Sequence, residues 1–461
     1  MNINIPSSPP RIKERDRQTV LKALRAGVVP RVGLQHIQVG RKAEISAILK
    51  DLEHVGEGGS AIRFVIGRFG AGKSFFLNLV STVALEKGFL VTHADITTDR
   101  RLHGTSGQAR ALLTELMKNL ASKARPEGGA LSLVIERWIS DIGPASGGDL
   151  TRVEAIMDRL RPLQELAGGF DLHTVLRRYF KAFRDAEDAT QQAAIRWLRA
   201  EYNTKTEARR DLGVRAIMED ENFYDSLKLQ AKFARIMGYK GLVVCIDELV
   251  VLSHRLASTR ARTANYEAIL RIVNDCLQRE AEGLFVVFAG TEECLVDKRR
   301  GLYSYEALAT RLAANEFATG EIVDLSGPVI RLKNLTVEDL YVLLMRIRDL
   351  FAYGDPTKYL LPDEGLRAFI EHSRRTLGED YFRTPRDSVM RFVGLLRSSK
   401  PSQHVIGVSC LEKRQLLIWL RACRRRRAPK LWSESKISSS SNYRWALSSF
   451  CIRASNRRSG T

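Results

Sequence analysis

Eight consecutive residues, Gly67-Arg68-Phe69-Gly70-Ala71-Gly72-Lys73-Ser74, fit the pattern G-x-x-x-x-G-K-[ST] without a mismatch. Its glycines let the backbone wrap closely around a polyphosphate, so that N–H groups and a helix N-terminus face the negative charge. The lysine of such a loop reaches the outer phosphates and the hydroxyl ligates Mg²⁺. The loop from Gly67 to Phe75 is therefore the candidate ATP-binding segment, with Lys73 on the β and γ phosphates and Ser74 on the metal.

Two acids supply what that loop lacks. The apolar run Gly241 to Ile246 closes on Asp247 and Glu248. Asp247 is placed to hold Mg²⁺ directly or through water, and Glu248 to polarise an attacking water as a general base. Thr291 ends the next apolar run, GLFVVFAG; a small hydroxyl there can bind the γ phosphate, or can simply cap the helix begun by T-E-E. Asp95 ends FLVTHAD and can face the nucleotide or cap the following turn, capping being the favoured reading. Hydrolysis also needs arginine to neutralise charge on the γ phosphate.

These residues require strands that deliver them to one edge. Ile62 to Ile66, Phe89 to Asp95, Gly241 to Asp247 and Gly283 to Gly290 read as strands alternating with helices, which predicts an α/β parallel sheet with its ligand at the carboxyl ends. Lys42 to His54 and Ser106 to Ala124 have helical apolar spacing. Residues 125–238 are too many for a strand connection and read as a helical insertion, with basic runs at Arg177, Arg178, Lys181 and Arg184 and at Arg209, Arg210 and Arg215. Those runs read first as solvated helix faces. After Asp324 the chain turns all-helical: a capping-box start at Thr336 to Asp339, a helix from Asp363 to Arg375, and a third opening at Thr384-Pro385-Arg386. The predicted domains are a disordered start at 1–14, a core at 15–330, a helical lid at 331–400 and a basic tail at 401–461.

The chain has 461 residues and a net charge of +20, which points to a polyanion such as DNA. The tail holds 13 Lys+Arg against 2 Asp+Glu, so over half of the excess sits there. It reads either as a disordered DNA-binding arm or as a shifted reading frame. No apolar run reaches the length of a membrane span, and the six cysteines show no C-x-x-C pair; a cytoplasmic protein with reduced thiols is expected, with no metal beyond Mg²⁺.

ALRAGVVPRVGL, VGRKAEI, FVIGRFGAGKSFFLNLV, VVCIDEL and the TPRD helix together resemble the P-loop ATP-binding proteins of bacteriophage-exclusion (BREX) systems, the smaller ATPase subunit in particular, over about residues 15–397. That resemblance implies an AAA+-like P-loop NTPase with a large helical insertion and a C-terminal helical lid, related to the replication-initiator branch. It implies ATP binding and hydrolysis, partner subunits of a defence complex, engagement of DNA and a nucleotide-dependent homo-oligomer. By the AAA+ pattern, Arg311 stands where a neighbouring subunit's finger is placed, with Arg299 and Arg300 as rivals, and Arg386 stands where a lid arginine contacts phosphate, with Arg383 as alternative. Two other readings stay open: a nonhydrolysing ATP switch that recruits partners, and a DNA-targeting ATPase of transposition or replication initiation.

Overall fold

The computed structural model describes residues 12–142, 149–313, 325–377 and 385–398. They form two compact units, one of Arg41–Asn334 and one that joins the segment before Gly40 to the helices after Leu335. The predicted Thr384 cap and Arg383, like the tail, lie outside the described residues.

In the larger unit, α2 (Lys42–Gly56) leads into β1 (Ala61–Ile66), α3 (Lys73–Glu86), β2 (Leu90–Asp95) and α4 (Gln108–Lys118). The insertion follows as α5 (Leu131–Asp141), α6 (Asp149–Leu160), α7 (Gly169–Arg184), α8 (Asp188–Leu198), α9 (Lys205–Leu212) and α10 (Phe223–Ile236). The chain then returns through β3 (Leu242–Asp247), α11 (Thr259–Gln278), β4 (Leu284–Gly290), α12 (Glu292–Val296), α13 (Glu306–Arg311) and β5 (Val329–Arg331). The smaller unit has α1 (Glu14–Arg25), α14 (Val337–Phe351), α15 (Asp363–Leu377) and α16 (Pro385–Ser398).

The five strands are all parallel in the order β2-β3-β4-β1-β5. β3 and β4 are apolar at nearly every position because helices cover both faces of the sheet, leaving no solvent side for alternate residues. Side-chain alternation divides the core accordingly. Val243, Cys245, Phe285 and Val287 pack with α2 and α3. Val244, Ile246, Val286 and Phe288 face the other way, into a core continuous with the insertion helices. Phe64 and Phe288, paired in register on β1 and β4, stack at 5.2 Å. At the amino end of β1 the buried Arg63 is clamped by Asp51 of α2, at 2.6 and 2.8 Å, and by the Leu325 carbonyl at 2.9 Å.

Two expectations need correction here. The helix predicted to reach Ala124 stops at Lys118, because Ala121 exchanges backbone hydrogen bonds with Val91 of the edge strand β2. β5, read as the start of the all-helical region, is a three-residue strand; Phe64 N–H donates to the Pro328 carbonyl and Leu332 N–H to that of Ile66, which fixes its pairing.

The smaller unit is a helical bundle. Thr336 and Asp339 form the predicted capping box of α14. Buried Arg17 of α1 chelates Glu14, donates to the Phe351 carbonyl at 3.2 Å and lies 3.6 Å from the centre of the Tyr353 ring. Arg348 pairs with Asp363 at 2.7 Å and covers Tyr359.

Candidate functional site

Only glycine tolerates the backbone between β1 and α3 at two points: Gly70 and Gly72 have φ of 80° and 88°. A side chain at Gly67 would meet Ala71 and Leu332 at 3.2 and 3.3 Å. The turn is thus tight, and it ends on a 14-residue helix whose first N–H groups, at Lys73, Ser74 and Phe75, have no intrahelical acceptor. Arg68 and Phe69 project outward at the tip, Phe69 being 74 % exposed. Lys73 Nζ turns back into the loop and donates to the carbonyls of Gly67 and Arg68, both at 3.1 Å. Burial pulls the Lys73 ammonium below its ordinary pKa, while the nearby carboxylates of Asp247 and Glu248 oppose that shift.

The two halves of the sheet edge meet directly. Ser74 Oγ donates to Asp247 Oδ2 at 2.7 Å across 173 residues of sequence. Glu248 N–H donates to the other oxygen, Asp247 Oδ1, at 2.7 Å, which holds the Glu248 backbone at φ 61°. That left-handed conformation costs a non-glycine residue on the order of 1–2 kcal/mol. Burial, then Asp247 and Asp95, push the Glu248 carboxyl above its ordinary range. Asp95 lies opposite Asp247 in the β2–β3 register and is raised likewise, chiefly by burial. The turn after β2 is capped by Thr97 Oγ1, which accepts from Asp99 and Arg100 N–H, the role the sequence suggested for Asp95.

A hydroxyl and a carboxylate side by side form a hard-oxygen donor pair of the kind Mg²⁺ takes with phosphate oxygens and water. No group of three or more His, Cys, Asp and Glu suited to a metal occurs among the described residues, so a divalent ion here would draw its remaining ligands from the nucleotide and water.

Of the other candidates, Thr291 follows Gly290, whose carbonyl accepts from Gly67 N–H at 3.2 Å. Thr291 is the N-cap of α12, its Oγ1 accepting from Cys294 N–H at 3.4 Å. Arg311 is exposed and donates to Asn274 Oδ1 at 2.6 Å and to the Ala307 carbonyl at 2.9 Å. The backbone N–H groups of Arg299 and Arg300 are held by Asp297, whose carboxylate also meets His254 at 3.5 Å. His254 belongs to a π-helical turn, Val251–Arg255, directly after the acidic pair. Arg386, within the smaller unit, donates to the Gly27 carbonyl.

One contact of the phosphate loop has no counterpart in the sequence reading. Arg41, part of the VGRKAEI stretch that carries the family resemblance, donates from Nη2 to the Ala71 carbonyl at 3.2 Å and to that of Lys333, and pairs with Glu44 at 3.3 Å. It ties the phosphate loop to the segment after β5. Its signal was G-R three residues before a glutamate.

A parallel sheet whose interior strand β1 runs through such a glycine turn into a helix, with an acidic strand end on the same edge, defines a P-loop NTPase-like protein. Within that class, the family described as BREX system ATP-binding protein BrxC/D matches residues 12–406, and the chain belongs to it. Comparison with curated proteins gave no match. No helix among the described residues is long and apolar enough to cross a membrane.

Proposed function

We propose that the chain is an AAA+-type ATPase that couples Mg²⁺-dependent ATP hydrolysis to assembly or remodelling on DNA in a phage-defence complex. It works in the cytoplasm as a nucleotide-dependent homo-oligomer with other subunits. The observation that carries this reading is the 2.7 Å bond between Ser74 and Asp247, with Glu248 held on the second oxygen of the same carboxylate.

The N–H groups from Gly67 to Phe75 receive the phosphates, and Lys73 neutralises them. Ser74 and Asp247 would hold Mg²⁺, which when bound supplies charge neutralisation to the phosphates. Glu248, raised in pKa, takes the proton of the attacking water. Thr291 contacts the γ phosphate or the water, and Arg311 reaches a neighbouring copy. ATP turnover by the purified chain, with and without duplex DNA, tests this. If Glu248→Gln leaves turnover untouched, the assigned base is wrong.

A second reading, a nonhydrolysing switch, is favoured by one observation: Arg311 is engaged within its own chain by Asn274. Bound ATP persisting intact on the wild-type protein for hours would select it.

A further inference from the structure

The insertion is electrically neutral as a whole: residues 125–238 hold 18 Lys+Arg and 18 Asp+Glu. Its charges are nevertheless sorted. On α7, Phe170, Arg177, Lys181 and Arg184 recur at one-face helical spacing, opposite the buried Leu172, Val175, Leu176 and Tyr179. Arg178 flanks that stripe and crosses to the end of α9, where an added Cβ on Gly213 would lie 2.7 Å from its Nη2. Gly213, at φ 64°, leaves that path open. Two residues on, Arg215 N–H donates to buried Asp171 of α7 at 2.8 Å, which fixes this segment along the helix. Arg177, Arg178, Lys181, Arg209 and Arg215 are all exposed, and among the described residues none of them forms an ion pair. Arg184 is paired with Asp185 and contributes less. Arg177 adds to burial in holding His173 below its ordinary pKa.

We propose that this α7–α9 face binds the phosphate backbone of duplex DNA. The stripe from Phe170 to Arg184 runs about 20 Å at 1.5 Å per residue, a length over which each DNA strand presents about six phosphates. Four of these five cations are arginines, whose planar fork matches phosphate oxygens. Phe170, 60 % exposed, is the one large apolar side chain on the stripe, too little apolar surface for a lipid-binding face. The assignment deepens the proposed function and rests on it for the choice of DNA over another polyanion.

The test uses the full chain and a labelled 30-base-pair duplex, with binding followed by anisotropy as salt is raised. Replacing Arg177, Lys181 and Arg215 together by alanine is expected to weaken DNA binding about 10–100-fold near physiological salt, and to flatten the log–log salt slope by about 2.7, or 0.9 per lost phosphate contact. ATP binding, measured on the same sample, stays at the wild-type value and reports an intact fold; the single variants Arg177→Gln and Arg215→Gln give one-contact slope changes where the triple variant fails to fold. An unchanged slope with wild-type DNA affinity overturns the assignment alone. A wild-type chain that ignores DNA overturns it together with the DNA part of the proposed function, and retention on anionic vesicles without DNA binding assigns the face to lipid instead.

Discussion

The strand-end cluster and the α7–α9 face handle charge in opposite ways, though both belong to the Arg41–Asn334 unit. At the strand ends a charge of each sign is hydrogen-bonded by neutral groups: Lys73 donates to the loop carbonyls, and Asp247 accepts from Ser74 Oγ and the Glu248 N–H. Lys73 and Asp247 are thus held before any ligand arrives, as stabilisation of a single charge distribution demands. The helical face presents Arg177, Arg178, Lys181, Arg209 and Arg215, exposed long side chains that form no ion pair among the described residues. Such arms suit a repeating ligand that need not be met in one register. The difference teaches that one protein can hold a fixed site for a small polyphosphate and a loose one for a long polyphosphate, and that burial and pairing tell them apart.

The largest effect that would break this comparison is catalytic. Glu248→Gln should lower ATP turnover about 10²–10⁴-fold, with nucleotide affinity near the wild-type value in a calorimetric titration; equal losses in both would mean that the acid binds rather than catalyses. Next comes salt. Raising it from 50 to 200 mM should weaken DNA binding on the order of 10²-fold for three to five phosphate contacts, and ATP binding only severalfold; parallel slopes would erase the distinction. Lys73→Ala should weaken ATP about 10–100-fold, the value of a charge-assisted hydrogen bond, while DNA binding in the absence of nucleotide is unchanged. Smallest is a gain: Glu248→Gly removes a side chain from φ 61° and should stabilise the fold by about 1 kcal/mol, seen as a higher melting temperature in a protein that no longer hydrolyses ATP. A lower melting temperature would show that the Glu248 side chain contributes packing that outweighs its strain.

The strand-end site was largely legible because its chemistry is written in short covalent spacings. Gly67 to Ser74 and Asp247-Glu248 each follow an apolar run that reads as a buried parallel strand. What escaped notice depends on partners far away in the chain. β5 has three residues and is a strand only because β1 lies beside it. Arg41 matters to the phosphate loop through a bond to a carbonyl 30 residues on. The π-helical turn at Val251–Arg255 carries an apolar pattern that suits an ordinary helix equally well. The basic runs of the insertion were visible one by one, but only the packing of residues 213–215 along α7 joins them into one face.

The strand order carries a consequence for synthesis. β1 emerges early from the ribosome, yet its neighbours are β4 and β5, encoded from residues 284 and 329 onward. At about 5–20 residues per second, the wait for β4 alone is roughly 10–45 s. Throughout it the apolar segment Ala61–Ile66 has neither of its sheet partners, and the insertion accounts for about half of the delay. The phosphate loop therefore takes its shape only once β4 has been made, so chains truncated before residue 284 should be insoluble and unable to bind nucleotide, whatever motif they contain.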